Sequence, residues 1–148
     1  MGDIPAQANM VSSMITFPAP GQDVAANKDF DITVQVQNLQ AGSFTNPDKT
    51  YYAAPQQLAG GKIVGHTHVT VQDLKGDIAS KVPPNPVVFA FFKGINNAGD
   101  GNGGLKATVV GGLPAGAYRV CTLVSASNHQ PVIMPVSLKV LIRLESMC

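Results

Sequence analysis

The residues best suited to chemistry are the three histidines, which fall in two short segments. His66 and His68 stand two apart, and His129 lies in the Asn-His-Gln-Pro stretch 128–131. Residues two apart on a β-strand project from one face, roughly 6–7 Å from each other. A third imidazole from a neighbouring loop would complete three nitrogen ligands with an open position. Zinc or copper suits such a set, so the sequence predicts a metal site at His66, His68 and His129.

The same histidines also have an ordinary interpretation. Two histidines on one strand can form a solvated or hydrogen-bonded polar face, and the amides of Asn128 and Gln130 can satisfy the backbone of their own loop. Both interpretations stay open at this point, because neither depends on a longer motif.

The sequence does not favour a hydrolase site, a calcium site or a glycoside-hydrolase site. Ser125, Ser127 and His129 lack a hydrolase motif and an acid to orient the imidazole. The loop around Asp100 lacks the alternating oxygen ligands of a calcium site. The one glutamate, Glu145, has no carboxylate partner of the kind that glycoside hydrolysis uses. The sequence favours a non-enzymatic protein and indicates no catalytic residue, although it leaves enzymatic activity open.

The histidines need strands to position them. Strict alternation of apolar and polar residues predicts a half-buried strand over Phe30–Gln37. Residues 63–74 predict the strand that carries His66 and His68, and residues 117–124 predict the strand before His129. Further strands are expected at residues 14–17, 105–110 and 138–144, and the apolar run 87–92 predicts a strand buried on both faces.

Turn and loop signals complete the fold prediction. The turn-forming residues between positions 40 and 62 predict a long ordered loop. We expect Phe44, Tyr51 and Tyr52 to pack against the rest of the domain and hold this loop in place. Leu113, Gly116 and Tyr118 have the spacing of a tyrosine corner, in which the phenol bonds to upstream backbone. We therefore expect an all-β fold, an immunoglobulin/fibronectin-like antiparallel β-sandwich of about seven strands.

The chain has the length of one domain, spanning residues 1–148 with an ordered core at about 12–144. The two cysteines, Cys121 and Cys148, allow one disulfide bridge, and the sequence leaves open whether it forms.

Composition excludes several function classes. Only 13% of the 148 residues are charged, and the formal net charge is +1, which argues against nucleic-acid binding through phosphate contacts. No stretch approaches the run of about 18 apolar residues that a membrane span needs. Low charge and a single glutamate favour an extracellular protein. The first residues lack the basic start and apolar run of a signal peptide, so we expect a secreted protein without its leader here.

Five stretches together resemble an uncharacterised family of secreted fungal proteins, found mainly in mushroom-forming and other filamentous fungi. They read NP with YAAPQQL (46–47, 52–58), GHTHV (65–69), FAFFKG (89–94), GGLPAGAYR (111–119) and SNHQPV (127–132). The resemblance covers residues 12–136 and ends at a divergent tail, residues 137–148. It implies an extracellular, wall-associated fungal domain, and some members of the family carry an upstream cysteine-rich, chitin-binding-like module.

These observations lead to three alternative functions. The first is a secreted, cell-wall-associated binding protein that interacts with wall polysaccharide or another protein, including one from a host or its immune system. The second is a zinc- or copper-binding metalloprotein that uses His66, His68 and His129. The third is a carbohydrate-binding module for chitin or glucan, which the absence of tryptophan makes less well supported. The sequence leaves the ligand and the oligomeric state open.

Overall fold

The computed structural model describes residues 1–46, 48–51 and 53–136 of the chain. A short 3-10 turn at Gln7–Asn9 precedes the first strand. The described strands are β1 (Ser12–Phe17), β2 (Phe30–Gln37), β3 (Leu39–Ala41), β4 (Leu58–Ala59), β5 (Lys62–Asp73), β6 (Phe91–Ile95), β7 (Gly104–Val109) and β8 (Tyr118–Ala126). The predicted last strand at 138–144, the tail 137–148 and Cys148 lie outside the described residues, and with them the question of a Cys121–Cys148 bridge, which the sequence left open.

The strands form two sheets. The first is a three-stranded antiparallel sheet in the order β1-β2-β7. The second has five strands around β5, which pairs in parallel with β3 and antiparallel with β4, β6 and β8. The predicted all-β sandwich is confirmed, whereas its immunoglobulin-like character stays a prediction. Within the described residues, no helix is long and apolar enough to cross a bilayer.

The hydrophobic core lies between the two sheets and leaves the second face of β5 to polar residues. The predicted alternation in β2 is confirmed, since Ile32, Val34 and Val36 are buried and intervening residues are less so. Strand β5 adds Val69 and Val71 to this core. Burial of each of these side chains contributes about 1.5–3 kcal/mol.

The prediction of a buried strand over residues 87–92 is wrong. Val87 is 78% exposed, Val88 is 58% exposed, and the strand begins only at Phe91. Pro86 stands immediately before the apolar run, and a proline has no N–H for a ladder hydrogen bond. The segment forms a turn instead, in which Val88 N–H donates to the carbonyl of Asn85.

The predicted tyrosine corner contact is present. The hydroxyl of Tyr118, at the start of β8, donates to the carbonyl oxygen of Pro114 at 3.0 Å. This bond ties the turn after β7 to the strand that leads to His129.

Replacing Tyr118 with phenylalanine removes only this hydrogen bond. We expect Tyr118→Phe to lower the free energy of unfolding by about 1 kcal/mol, the usual net contribution of one hydrogen bond. Urea denaturation measures the change, and Val110→Ala, at a position 78% exposed, is the control with little expected effect. Equal stability of Tyr118→Phe and the wild type would contradict a structural role for the corner.

Candidate metal centre

Strand β5 places His66 and His68 on its polar face. The two residues are two apart in the strand, so their side chains project to the same side. His66 is fully buried, and His68 is 8% exposed. Two buried imidazoles need partners for all of their ring nitrogens, because an unsatisfied buried polar atom costs about 1–3 kcal/mol.

The third histidine lies in the tight turn that follows β8. The Ala126 N–H donates to Gln130 O at 2.9 Å, and the His129 N–H donates to Ala126 O at 3.0 Å. The side-chain oxygen of Asn128 accepts the Gln130 N–H at 3.0 Å, as the ordinary interpretation of this loop predicts. His129 itself has a φ of 64°, in the left-handed region that side chains other than glycine seldom adopt. The turn therefore holds a histidine where glycine would be less strained.

Gly65 lets the turn approach β5. It pairs with Ala126 at the end of β8, and a Cβ atom at position 65 would collide with the backbone oxygen of Ser125. Because Gly65 has no side chain, the turn that carries His129 can lie close to β5, next to His66.

The loop segment 43–45 lies between the two histidine-bearing segments. The Ser43 N–H donates to Gly65 O at 3.0 Å, and the Thr45 N–H donates to Ser127 O at 2.7 Å. The hydroxyls of Ser43 and Ser127 are 2.8 Å apart, which adds a third link. These bonds fix the positions of the Ser43 and Thr45 carbonyl groups relative to the histidines.

The structure brings the three predicted residues together. One ring nitrogen from each of His66, His68 and His129 lies within 4.8 Å of the others. Among the described residues, this is the one group of three or more histidine, cysteine or acidic side chains with a geometry suited to a metal ion.

A backbone carbonyl holds the remaining nitrogen of each ring. His66 Nδ1 lies 3.2 Å from Ser43 O, His129 Nε2 lies 2.9 Å from Thr45 O, and His68 Nδ1 lies 3.3 Å from Leu123 O. A carbonyl oxygen can only accept a hydrogen bond, so these contacts favour the neutral tautomer with the proton on the nitrogen that faces the carbonyl. His68 Nδ1 also lies 3.5 Å from the Ser125 hydroxyl. In these tautomers the opposite nitrogens, His66 Nε2, His68 Nε2 and His129 Nδ1, have lone pairs.

Two of these lone pairs face each other. His66 Nε2 and His129 Nδ1 are 3.2 Å apart, although neither has a proton to donate when both rings are neutral. A cation at this point would turn a repulsive contact into an attractive one. Two nitrogens bound tetrahedrally to zinc at about 2.0–2.1 Å are about 3.3–3.4 Å apart, close to the observed spacing. The two ring nitrogens that lie farthest apart, at up to 4.8 Å, would have to approach each other by about 1.5 Å for all three nitrogens to bind the same ion.

Burial disfavours the charged form of His66 and His68. Desolvation, aided by the nearby His68 and His129, lowers the pKa of His66 from its ordinary value of 6.5 to about 4. Burial also lowers the pKa of His68. His66 and His68 are therefore neutral at neutral pH, and their lone-pair nitrogens stay available as ligands.

Aromatic rings surround the histidines. Tyr51 stacks on His129 with ring centroids 4.3 Å apart, and Phe92 stacks on His68 at 5.4 Å. Phe44 meets His66 edge-on at 6.1 Å. The predicted packing of Phe44 and Tyr51 against the domain is thus observed, while Tyr52 lies outside the described residues. The contact of Phe92 with His68 was not predicted, because the apolar run around Phe92 indicated a strand buried on both faces.

The other loop considered as a site forms an ordinary turn. The carboxylate of Asp100 accepts the backbone N–H groups of Asn102 and Gly104, each at 2.8 Å. These bonds lower the pKa of Asp100 and account for its carboxylate without a calcium ion.

The fold and these contacts define an all-β domain with a buried cluster of three histidines. The chain belongs to the CLU5d N-terminal domain family, whose model matches residues 13–142. It is 57% identical over 138 residues to "Pathogenicity cluster 5 protein d" of Colletotrichum graminicola. That match covers 93% of this chain but only 29% of the relative. The resemblance to a fungal family is confirmed, and no solved structure matches the chain.

Acid should destabilise the metal-free protein. Because the pKa of His66 falls from 6.5 to about 4 on folding, the unfolded chain takes up a proton that the folded protein resists. The contribution of this residue to the free energy of unfolding is fully present above pH 6.5 and is lost as the pH falls to 4, by on the order of 3 kcal/mol. Urea denaturation with a chelator present, repeated across this range, measures the loss.

The matched variant for this measurement is His66→Gln, which cannot titrate. Its stability should depend less steeply on pH than that of the wild type, whatever its absolute stability. The same pH dependence in both proteins would contradict the assignment of a buried, neutral His66.

Proposed function

We propose that this domain binds one zinc or copper ion through His66 Nε2, His68 Nε2 and His129 Nδ1. One observation carries the proposal: His66 Nε2 and His129 Nδ1 face each other at 3.2 Å, while the other nitrogen of each ring lies within hydrogen-bond distance of a backbone carbonyl. Ordinary core histidines donate to acceptors and accept from donors. Here two acceptors meet, and a metal ion is the partner that satisfies both.

The carbonyl contacts also support the proposal as a second layer around the ion. Metal-binding histidines usually donate their other N–H to a carbonyl or carboxylate, which fixes the tautomer and the ring orientation. All three rings have such a carbonyl, from Ser43, Thr45 and Leu123. The hydrogen-bonded polar face that the ordinary interpretation predicts is therefore present, but it accounts for only one nitrogen of each ring.

The donor set favours a transition metal over calcium or magnesium. Imidazole nitrogen suits zinc and copper, whereas the two alkaline-earth ions prefer oxygen ligands. Three protein ligands leave a fourth position of a tetrahedral ion open. The proposal assigns metal binding and no reaction, since the sequence offers no catalytic signature beside the histidines.

We place this metal-binding role outside the fungal cell. The support is the 13% content of charged residues and the resemblance to secreted, wall-associated fungal proteins. The Colletotrichum relative is named for a pathogenicity cluster, which agrees with a role in contact with a host. Because the chain spans 29% of that relative, the role of the whole protein belongs to the proposal as well.

The exposed rings at the site favour this function over a carbohydrate-binding module. Tyr51 and Phe92 stack on His129 and His68, two rings that are tilted by 40° to each other, which does not favour the single flat platform that a polysaccharide needs.

Isothermal titration calorimetry tests the proposal directly. Protein purified without a polyhistidine tag and stripped by a chelator should bind one Zn(II) or Cu(II) per chain. Saturation at about 100 times the dissociation constant should raise the free energy of unfolding by about 2.7 kcal/mol, because the ion binds only the folded state.

Two variants remove a ligand and one serves as a control. We expect His68→Ala and His129→Asn to weaken binding by at least roughly 100-fold, and asparagine tolerates the left-handed backbone at position 129. Thr70→Ala changes the next position on the same face of β5 and should bind as the wild type does. A folded wild-type protein that takes up no ion would overturn the proposal.

A further inference from the structure

The histidine cluster opens to solvent through a cleft of about 240 Å³. The residues that line this cleft include His68 and His129 but not His66, which is fully buried. An ion bound by the three histidines would therefore take its fourth ligand from the cleft.

Gly94 leaves a space beside His68 that a side chain would fill. It pairs with His68 across β5 and β6. A Cβ atom at position 94 would lie 3.7 Å from His68 Nε2 and 3.1 Å from Asn96 Oδ1. The backbone of Gly94 is not in the left-handed region, so its φ does not require glycine. The space that Gly94 keeps free is therefore bounded by a ligand nitrogen of the cluster on one side and by the Asn96 oxygen on the other.

The Asn96 oxygen determines which ligand suits this space. An amide oxygen accepts hydrogen bonds and cannot donate one, so a ligand without a proton would place a second acceptor against it. A ligand that suits both neighbours has a lone pair for the metal ion and a hydrogen atom for Asn96. Water is the smallest such ligand, and a bound divalent ion polarises it, which makes its O–H a stronger donor.

We infer that a water molecule takes the fourth position of the metal ion, in the space beside Gly94, and donates a hydrogen bond to Asn96 Oδ1. Asn96 is then a positioning residue, which acts on the ion through this water. The assignment rests on the proposed metal site and adds the class of its fourth ligand, an oxygen ligand that carries a proton rather than an anion that can only accept.

Copper(II) reports on this water, because it is paramagnetic and binds a nitrogen site more tightly than the other divalent first-row ions do. Electron–nuclear double resonance of the Cu(II)-loaded protein in water labelled with oxygen-17 should show a strongly coupled oxygen. Azide, which has no proton to donate at neutral pH, should displace the water and remove this coupling. The change in visible absorption on titration gives the dissociation constant of azide.

Substitutions of Asn96 should change the affinity for azide in opposite directions. Asn96→Ala removes the acceptor that opposes the anion, so azide should bind about fivefold more tightly than in the wild type. Asn96→Asp keeps an acceptor and adds a negative charge, so azide should bind about tenfold more weakly. Asn97→Asp is the matched control, because the side-chain oxygen of Asn97 is held by the Gly99 N–H at 2.8 Å and Asn97 does not line the cleft. It should change the affinity by less than about threefold.

Gly94→Ala tests the space itself. The added methyl group narrows the gap between His68 and Asn96, so azide should bind about tenfold more weakly or not at all. The oxygen-17 coupling should be lost as well. The affinity for Cu(II) should change by less than about threefold, because the three ligand residues are unchanged.

The outcomes separate this water from the metal site that holds it. If Cu(II) does not bind through the histidines, the proposed function is overturned and the water with it. If Cu(II) binds but shows no coupled oxygen-17, or if Asn96→Ala binds azide no more tightly than the wild type, the metal site stands and the assigned water is wrong.

Discussion

Three backbone carbonyls determine what the histidines can do. Each accepts the single proton of a neutral imidazole, from His66 to Ser43, from His129 to Thr45 and from His68 to Leu123. Because a carbonyl cannot donate, the opposite nitrogen of each neutral ring in this arrangement has a lone pair. Two of these nitrogens, His66 Nε2 and His129 Nδ1, lie 3.2 Å apart, and burial disfavours a second proton on the His66 ring. The metal proposal follows from this unfavourable contact.

The fold supplies both the rings and their acceptors from separate parts of the chain. Strand β5 is buried on two faces, with Val69 and Val71 in the apolar core and His66 and His68 on the other side. The loop between β3 and β4 adds the carbonyls of segment 43–45, which hydrogen bonds hold to β5 and to the turn after β8. Tertiary packing therefore aligns the site, and no short sequence motif could do so alone.

The sequence predicted the parts of this arrangement that follow from periodicity. A spacing of two residues placed His66 and His68 on one face, and the alternation in Phe30–Gln37 identified the core strand. The sequence could not predict which carbonyl oxygens accept from the histidines. A backbone carbonyl is the same in every residue, and its position depends on the path of the loop. The run at 87–92 has the hydrophobicity of a buried strand, but the adjacent Pro86 lacks the N–H that a ladder needs, and Val87 and Val88 are exposed.

Nuclear magnetic resonance of the imidazole nitrogens tests whether the nitrogens that face each other in the histidine cluster carry lone pairs. Long-range proton–nitrogen correlation spectra of the metal-free protein at neutral pH report which nitrogen of each ring carries the proton. We expect a proton on Nδ1 of His66 and His68 and on Nε2 of His129, with lone pairs on the three facing nitrogens. A proton on His66 Nε2 or on His129 Nδ1 would make their contact an ordinary hydrogen bond and would contradict the metal proposal.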